Sequence, residues 1–424
     1  MAKSEKIAAD MIVENAAQLL TLVPTVKTDD DTGEWRLGII ENGSVAVSDG
    51  RVLEYGPAKA IAAKYDAPHT INASGRVVTP GLIDPHTHLV FPATRENEYE
   101  MRNRGLSYKE ITLQGGGIHT SVRKMRAASK QQLFERSLPL LDSAMAHGTT
   151  TLEIKSGYGL TTADEIKTLE VVSELDKAHS VDIIPTFLGA HEIPEEHRGD
   201  PEAYIEILQK EMMPEVRRRS LAEFCDIFCE EHVYGIEQSR RILTSAAEQG
   251  FLLKMHADEL EPIGGAELAA ELRVVSADHL VAASDEGIAA MGAAGVVPVL
   301  LPGTTFSLGS HKYARARAML DAGLPVALAT DFNPGTCYTE SLQIAMAIAC
   351  VYLKMTAAEC LAACTINAAR ALARESEIGS LAPGKRADLV VWDMPDYRHI
   401  GYHFGVNLVE TTIIKGKIEY GSES

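Results

Sequence analysis

Four short stretches of this chain combine residues that bind metal ions or move protons. They are Asp84-Pro85-His86-Thr87-His88, His256-Ala257-Asp258-Glu259, Asp278-His279 and Asp331-Phe332-Asn333-Pro334-Gly335. In an H-x-H on an extended segment both side chains point the same way, so both imidazoles can reach one ion. Any one of these histidines, taken alone, is as readily a hydrogen-bonded core residue. Taken together, three His and one Asp make a complete set of N and O ligands with a position left open to water. Cys225 and Cys229 would share one face of a strand, but zinc knuckles use tighter spacing and a second pair.

The chemistry follows only if these stretches meet in space, and the elements around them suggest how. The 424 residues suit a barrel of about 250 residues plus a smaller domain. Eight short apolar runs read as strands: 81–84, 150–155, 182–187, 225–229, 251–255, 273–277, 295–301 and 325–330. Eight closes a (β/α)8 barrel, and the reactive stretches fall at the C-terminal ends of its first, fifth, sixth and eighth strands, where barrel active sites lie. Helical runs separate the strands. One over 133–147 stops at Gly148; one over 163–179 opens at Thr161 or Thr162, with Glu165 placed for a capping box; one opens at Ser284. Pro185 and Pro298 sit awkwardly inside strands, and the seventh strand is the least secure.

The two ends read as short strands: 12–22, 35–47 and 51–55 before the barrel, 387–392 and 411–420 after it. Asn42-Gly43, Asp49-Gly50 and Lys415-Gly416 read as turns. Neither end suffices alone, so each is the other's simplest partner. The expected fold is α/β: a distorted (β/α)8 TIM barrel over 78–378, plus a small β-sandwich composed of 1–77 and 379–424.

The formal net charge of −19 argues against a nucleic-acid partner, which needs clustered Lys and Arg. No run is long and apolar enough for a membrane span, and charges break up the N-terminal segment before a signal-peptide core could form. Six cysteines in so large a chain do not make a disulfide framework, so a reducing, cytoplasmic setting is expected. Lys155-Ser156 could suggest a Ser–Lys nucleophile and Gly115-Gly116-Gly117 a phosphate loop. The metal set makes the first unnecessary, and the second lacks the Lys-Ser/Thr context.

The constellation resembles the amidohydrolase superfamily across nearly the whole chain, including the lead-in 79–88 and the tail Gly379-Ser380-Leu381-Ala382-Pro383-Gly384-Lys385-Arg386-Ala387-Asp388-Leu389. The resemblance implies His86, His88, His256 and Asp331 as metal ligands, with His279 facing the substrate. Binuclear members carry a bridging carboxylated Lys after the fourth strand; here the sequence is Cys229-Glu230-Glu231-His232, so one metal is expected, zinc or iron. The His256-x-x-Glu259 spacing resembles the proton-shuttling Glu of mononuclear deaminases.

Further stretches resemble the imidazolonepropionase family: 153–160 (EIKSGYGL), 187–194 (FLGAHEIP), 301–306 (LPGTTF) and 329–335 (ATDFNPG). That resemblance implies hydrolysis of 4-imidazolone-5-propanoate. It also implies substrate contacts from Arg95, Tyr158, His191, Glu259, Asn333 and Gly335, with Thr336 and Tyr108 as weaker candidates. Catalysis would fall to Glu259, His279 and Asp331. Arg suits bidentate binding of the propanoate. A homodimer is the expected assembly. Two other readings stand beside this one: a deaminase or cyclic amidase with the same ligands, and a non-catalytic scaffold, which usually has a broken ligand set.

Overall fold

A computed structural model gives the fold and describes residues 6–24, 37–106, 110–111 and 115–422. Trp35 and Tyr108 lie outside the described residues. The chain divides into two compact units, one of residues 1–84, 142–151 and 341–424, the other of 85–141 and 152–340.

Eight strands run in sequential order through one sheet: β1 (Leu82–Asp84), β2 (Thr149–Lys155), β3 (Asp182–Ala190), β4 (Phe224–Cys229), β5 (Leu252–Ala257), β6 (Ser276–His279), β7 (Val297–Leu300) and β8 (Ala327–Leu328). Pairing is parallel from β3 through β8. Past β1 and β8 the two ends of the sheet meet. Thr87 bridges Phe332 in parallel, and the amides of His88 and Asp331 donate to the carbonyls of Phe332 and His86 at 2.9 and 3.1 Å. The fold is the distorted (β/α)8 barrel expected from the sequence.

The seventh strand forms despite Pro298, which pairs opposite Ala277. Pro185 likewise stays in β3, its carbonyl accepting from the Glu223 amide at 3.1 Å. The sixth strand starts at Ser276 rather than Arg273. Arg273, at φ 51°, closes the helix Gly265–Leu272 in the left-handed region, so the chain cannot yet be extended there. Thr161 caps the helix Thr162–Ala178 by accepting from the Asp164 amide, and Ser284 caps Asp285–Ala294. Glu165 does not complete a capping box. Its carboxylate turns back to accept from the amides of Gly157, Gly159 and Leu160 at 2.8–3.0 Å, fixing the loop after β2.

In the first unit, strands from both termini share one sheet, in which Leu389–Trp392 pairs antiparallel with Val77–Pro80. Val13, Leu19, Val45, Ile71, Leu389 and Ile413 meet in one apolar cluster. Asp49-Gly50 and Lys415-Gly416 are turns with positive φ at both residues. Asn42-Gly43 is not a turn. It lies inside the strand Ile39–Ser48, at an irregularity where Ala16 faces Gly43, and a Cβ on Gly43 would meet Leu19 Cβ at 2.6 Å. Asn42 takes positive φ there, at 49°, which Asn tolerates in a strand irregularity as it does in a turn. No described helix is long and apolar enough to cross a membrane.

Candidate active site

Barrel closure decides the first contacts. The backbone bonds between 86–88 and 331–332 bring the H-x-H of one end of the chain's barrel beside the Asp of the other. His86 Nε2 and His88 Nε2 lie 3.5 and 3.7 Å from Asp331 Oδ1. His256 lies next to the end of β5 in register with Asp278, and His279 ends β6 opposite Ala257. The His86 and His256 ring centroids are 4.5 Å apart, and those of His256 and His279 are 5.3 Å apart.

Two overlapping groups, His86–His256–His279 and His86–His88–Asp331, each offer one ligand atom per residue within 4.8 Å of one another. All five residues are buried. His256 Nε2 and His88 Nδ1 have no hydrogen-bond partner among the described residues. Polar atoms buried in this way carry a cost unless something binds them. The donor set therefore fits a metal ion. His279 stands as close to the cluster as the four residues that the superfamily pattern names.

The proton position on His86 follows from its partner. A carboxylate only accepts, so His86 Nδ1, 2.6 Å from Asp278 Oδ2, carries the hydrogen and leaves Nε2 with its lone pair. Asp226 Oδ2 lies 3.1 Å from His256 Nδ1, outside hydrogen-bond geometry but close enough to favour a hydrogen on that nitrogen. Burial and the neighbouring positive charges hold His86, His88 and His279 well below the usual imidazole range, so these rings are neutral, as ligands must be. Asp258, His279 and Asp331 all have positive φ, so each of these strand ends turns through left-handed backbone.

Glu259 Oε2 sits 3.6 Å from His279 Nδ1. Burial, and then the charge of Asp331, push its carboxyl up to about 8. Asp331 itself is raised to about 6 by burial, although Thr304 Oγ1 donates to it. Glu230, at the end of β4, does not join either ligand group. Its carboxylate accepts from the Leu260 amide at 2.8 Å and so holds the loop that carries Glu259.

Of the expected substrate residues, Tyr158 and His191 lie against the same cluster. His191 stacks on His88 at 5.0 Å, and Tyr158 lies 5.5 Å from His191. His191 Nδ1 donates to the Gly157 carbonyl at 3.0 Å, which leaves Nε2 as an acceptor; burial lowers this imidazole to about 3. Arg95 is buried and its Nε and Nη2 grip both oxygens of Glu98 at 3.0 and 2.6 Å. A Cβ on Gly335 would meet Arg95 Nη1 at 2.3 Å, so only glycine lets the guanidinium lie against this backbone. Asn333 spends its amide within its own loop: Nδ2 donates to the Asp331 carbonyl and to Thr336 Oγ1, and Oδ1 accepts from the Gly335 and Thr336 amides.

With this geometry established, the chain can be set against known proteins. The amidohydrolase family matches residues 77–418. An imidazolonepropionase of Geobacillus kaustophilus is 50% identical over 417 residues, covering 96% of this chain and 97% of that protein. The chain belongs to the imidazolonepropionase family of amidohydrolases. A second family member, from Alkaliphilus oremlandii, is 48% identical over 411 residues, again with 96% and 97% coverage. A zinc-bound adenosine deaminase from Xanthomonas campestris is 18% identical, with a TM-score of 0.73 over 99% of this chain and 94% of that one; this likeness speaks to the fold.

Sequence reasoning assigned no role to a group of charges that lies beside the site. Lys155, Glu153, Asp226, Lys254 and Asp278 are wholly buried. Their signal was present: charged residues at alternate positions of otherwise apolar strands, as in Glu153-x-Lys155 and Lys254-x-His256, point toward the barrel interior. The Lys155 ammonium is committed to salt bridges, which leaves no nucleophilic amine beside Ser156. Its neighbours' negative charge outweighs desolvation and holds it charged. Glu98 gave no comparable signal, because an exposed-looking Glu three residues after Arg95 is ordinary in a helix.

Proposed function

We propose that this chain hydrolyses the ring carbonyl C–N bond of 4-imidazolone-5-propanoate, giving N-formimidoyl-L-glutamate in histidine degradation. The observation that carries this reading is 48–50% identity to imidazolonepropionases over 96% of the chain, together with an unbroken set of buried His and Asp at the barrel mouth. The unbroken set also argues against a scaffold.

In this reading one Zn²⁺ or Fe³⁺ per subunit is held by His86, His88, His256 and Asp331. The ion supplies Lewis acidity, which makes water nucleophilic near neutral pH. Asp331 or Glu259 accepts the proton of the attacking water. With Asp331 engaged, one cause of Glu259's raised value weakens, and its carboxyl moves toward the neutral range that a proton shuttle needs. His279, neutral and buried, faces the developing oxyanion. As the carbonyl C–N bond breaks, Glu259 delivers a proton to the leaving ring nitrogen.

Binding falls to the residues around this centre. His191 Nε2 accepts a ring N–H, and Tyr158 closes the same side. The guanidinium of Arg95 meets the propanoate with the edge that Glu98 does not grip. Asn333, Gly335 and Thr336 complete the contacts from one loop, which Asn333 itself holds in shape. We further propose a cytoplasmic homodimer, with residues 78–378 as the catalytic barrel and 1–77 plus 379–424 as a composite sandwich.

The test follows the absorbance of the imidazolone after mixing with purified protein. Metal-dependent loss without ammonia release is expected; ammonia release would point to a deaminase instead. Glu259→Gln should keep the metal and lose most turnover, by the 10²–10⁴-fold typical of a general acid–base group. A near-normal rate in that variant would remove Glu259 from the chemistry.

A further inference from the structure

Beneath the histidine cluster, the barrel interior holds a group of charges that the reaction does not use. Lys155 Nζ lies 2.7 Å from Asp226 Oδ2, 2.8 Å from Glu153 Oε2 and 3.7 Å from Asp278 Oδ2, with all four side chains wholly buried. The two aspartates are each pinned by their other oxygen. Asp226 Oδ1 accepts from the Ile227 amide at 2.7 Å, and Asp278 Oδ1 accepts from Ser276 Oγ at 2.7 Å. Their Oδ2 atoms are thereby aimed at two targets at once, Lys155 on one side and a histidine Nδ1 on the other: His256 for Asp226, at 3.1 Å, and His86 for Asp278, at 2.6 Å.

We infer that Lys155 is a positioning residue for metal binding: its one ammonium pairs with two carboxylates, Asp278, which fixes the Nδ1–H tautomer of His86, and Asp226, which faces Nδ1 of His256. Lys155 acts one bond further out than the aspartates, on opposite sides of the same site. Carboxylates that hold a ligating imidazole in this way affect metal affinity as well as catalysis, typically by 10–100-fold when lost. Glu153 completes the charge balance and faces Lys155, Lys254 and Thr186 rather than a histidine.

The inference rests on the metal-site reading above, and the experiment separates the two. Zinc affinity is measured by chelator competition on the full-length, metal-free protein for wild type, Lys155→Met and the charge-balanced pair Lys155→Met/Glu153→Gln. The single variant leaves three carboxylates short of a cation and can fail to fold; the pair removes one charge of each sign. Zinc affinity should fall about 10–100-fold in whichever variant folds. The rise in melting temperature caused by zinc should shrink, and KM should hold while kcat falls.

Equal melting losses with and without zinc, at wild-type zinc affinity, would reduce Lys155 to a structural residue and overturn the inference. Should neither variant fold, nitrogen-15 histidine spectra of the metal-free wild type decide. Hydrogen on Nδ1 of His86 and His256 supports the role; hydrogen on Nε2 of either ring overturns it. Wild type that binds no zinc would remove the site itself, a different failure.

Discussion

The terminal sheet and the barrel bury comparable segments of strand, yet fill their interiors with opposite chemistry. In the sheet, Val13, Leu19, Val45, Leu389 and Ile413 pack as an aliphatic cluster that needs no partner beyond itself. In the barrel, Lys155, Glu153, Asp226, Lys254 and Asp278 occupy the inward positions at zero exposure. Removing apolar area from water stabilises the first interior directly. The second is costly, because desolvating charges commonly outweighs their mutual attraction. A network of that kind is best understood by what it orients, and this one ends on the Nδ1 atoms of His86 and His256. The sheet interior holds the fold, and the barrel interior aims imidazoles.

The comparison can be broken most sharply at Asp226. Asp226→Ala leaves Lys155 short of its nearest carboxylate and frees His256, so stability should fall by about 3–5 kcal/mol, as when one partner of a buried pair is lost. Metal affinity should fall with it. Urea denaturation and chelator competition measure the two losses, and retention of both would make the network dispensable.

Leu389→Ala in the sheet should cost a similar amount, about 2–5 kcal/mol, from lost burial and the cavity left behind. Zinc affinity and kcat/KM, measured well below the melting transition, should stay at wild-type values. A change in metal binding here would mean that the two interiors do not divide their tasks.

Glu98→Gln probes a third arrangement, the buried ion pair of Arg95 and Glu98 proposed to receive the substrate tail. The amide still reaches Arg95 but no longer fixes the guanidinium with two charged oxygens. KM for the propanoate substrate should change several-fold while zinc affinity holds; an unchanged KM would detach Arg95 from the substrate tail.

The smallest effect is expected at the surface. Arg398 holds the Asp396 carboxyl down to about 2. A depressed carboxyl contributes stability above its unfolded value, near 4, and loses it as pH falls through the folded value. Asp396→Asn should therefore be slightly less stable than wild type at neutral pH, with the difference closing as pH falls from about 4 to about 2. A difference at neutral pH of the same size as that of Asp226→Ala would contradict the ranking.

Much of the site was legible because its chemistry is local. His86-x-His88, His256-x-x-Glu259, Asp278-His279 and Asp331 stand at strand ends, and alternation within a strand sends H-x-H to one side whatever the rest of the fold does. The strands themselves were legible from short apolar runs between Gly, Pro and capping residues. Less legible were the choices between two uses of one residue. Asn42-Gly43 tolerates positive φ and so suits a hairpin or a strand irregularity; its place inside Ile39–Ser48, with Gly43 opposite Ala16, excluded the hairpin. Glu165 suits a capping box by spacing, yet the amides of Gly157, Gly159 and Leu160 claimed it.

The sequence by itself determined which groups carry the chemistry and the order of elements that present them, since residue type and strand periodicity are properties of a few neighbouring positions. Only the tertiary structure decided which groups meet. Barrel closure set Asp331 beside residues some 240 positions earlier, and Lys155, Asp226 and Asp278 met because three strands turn one face toward the same interior. Hydrogen bonds act over about 3 Å, and nothing local in a chain says which distant atoms will arrive within that range.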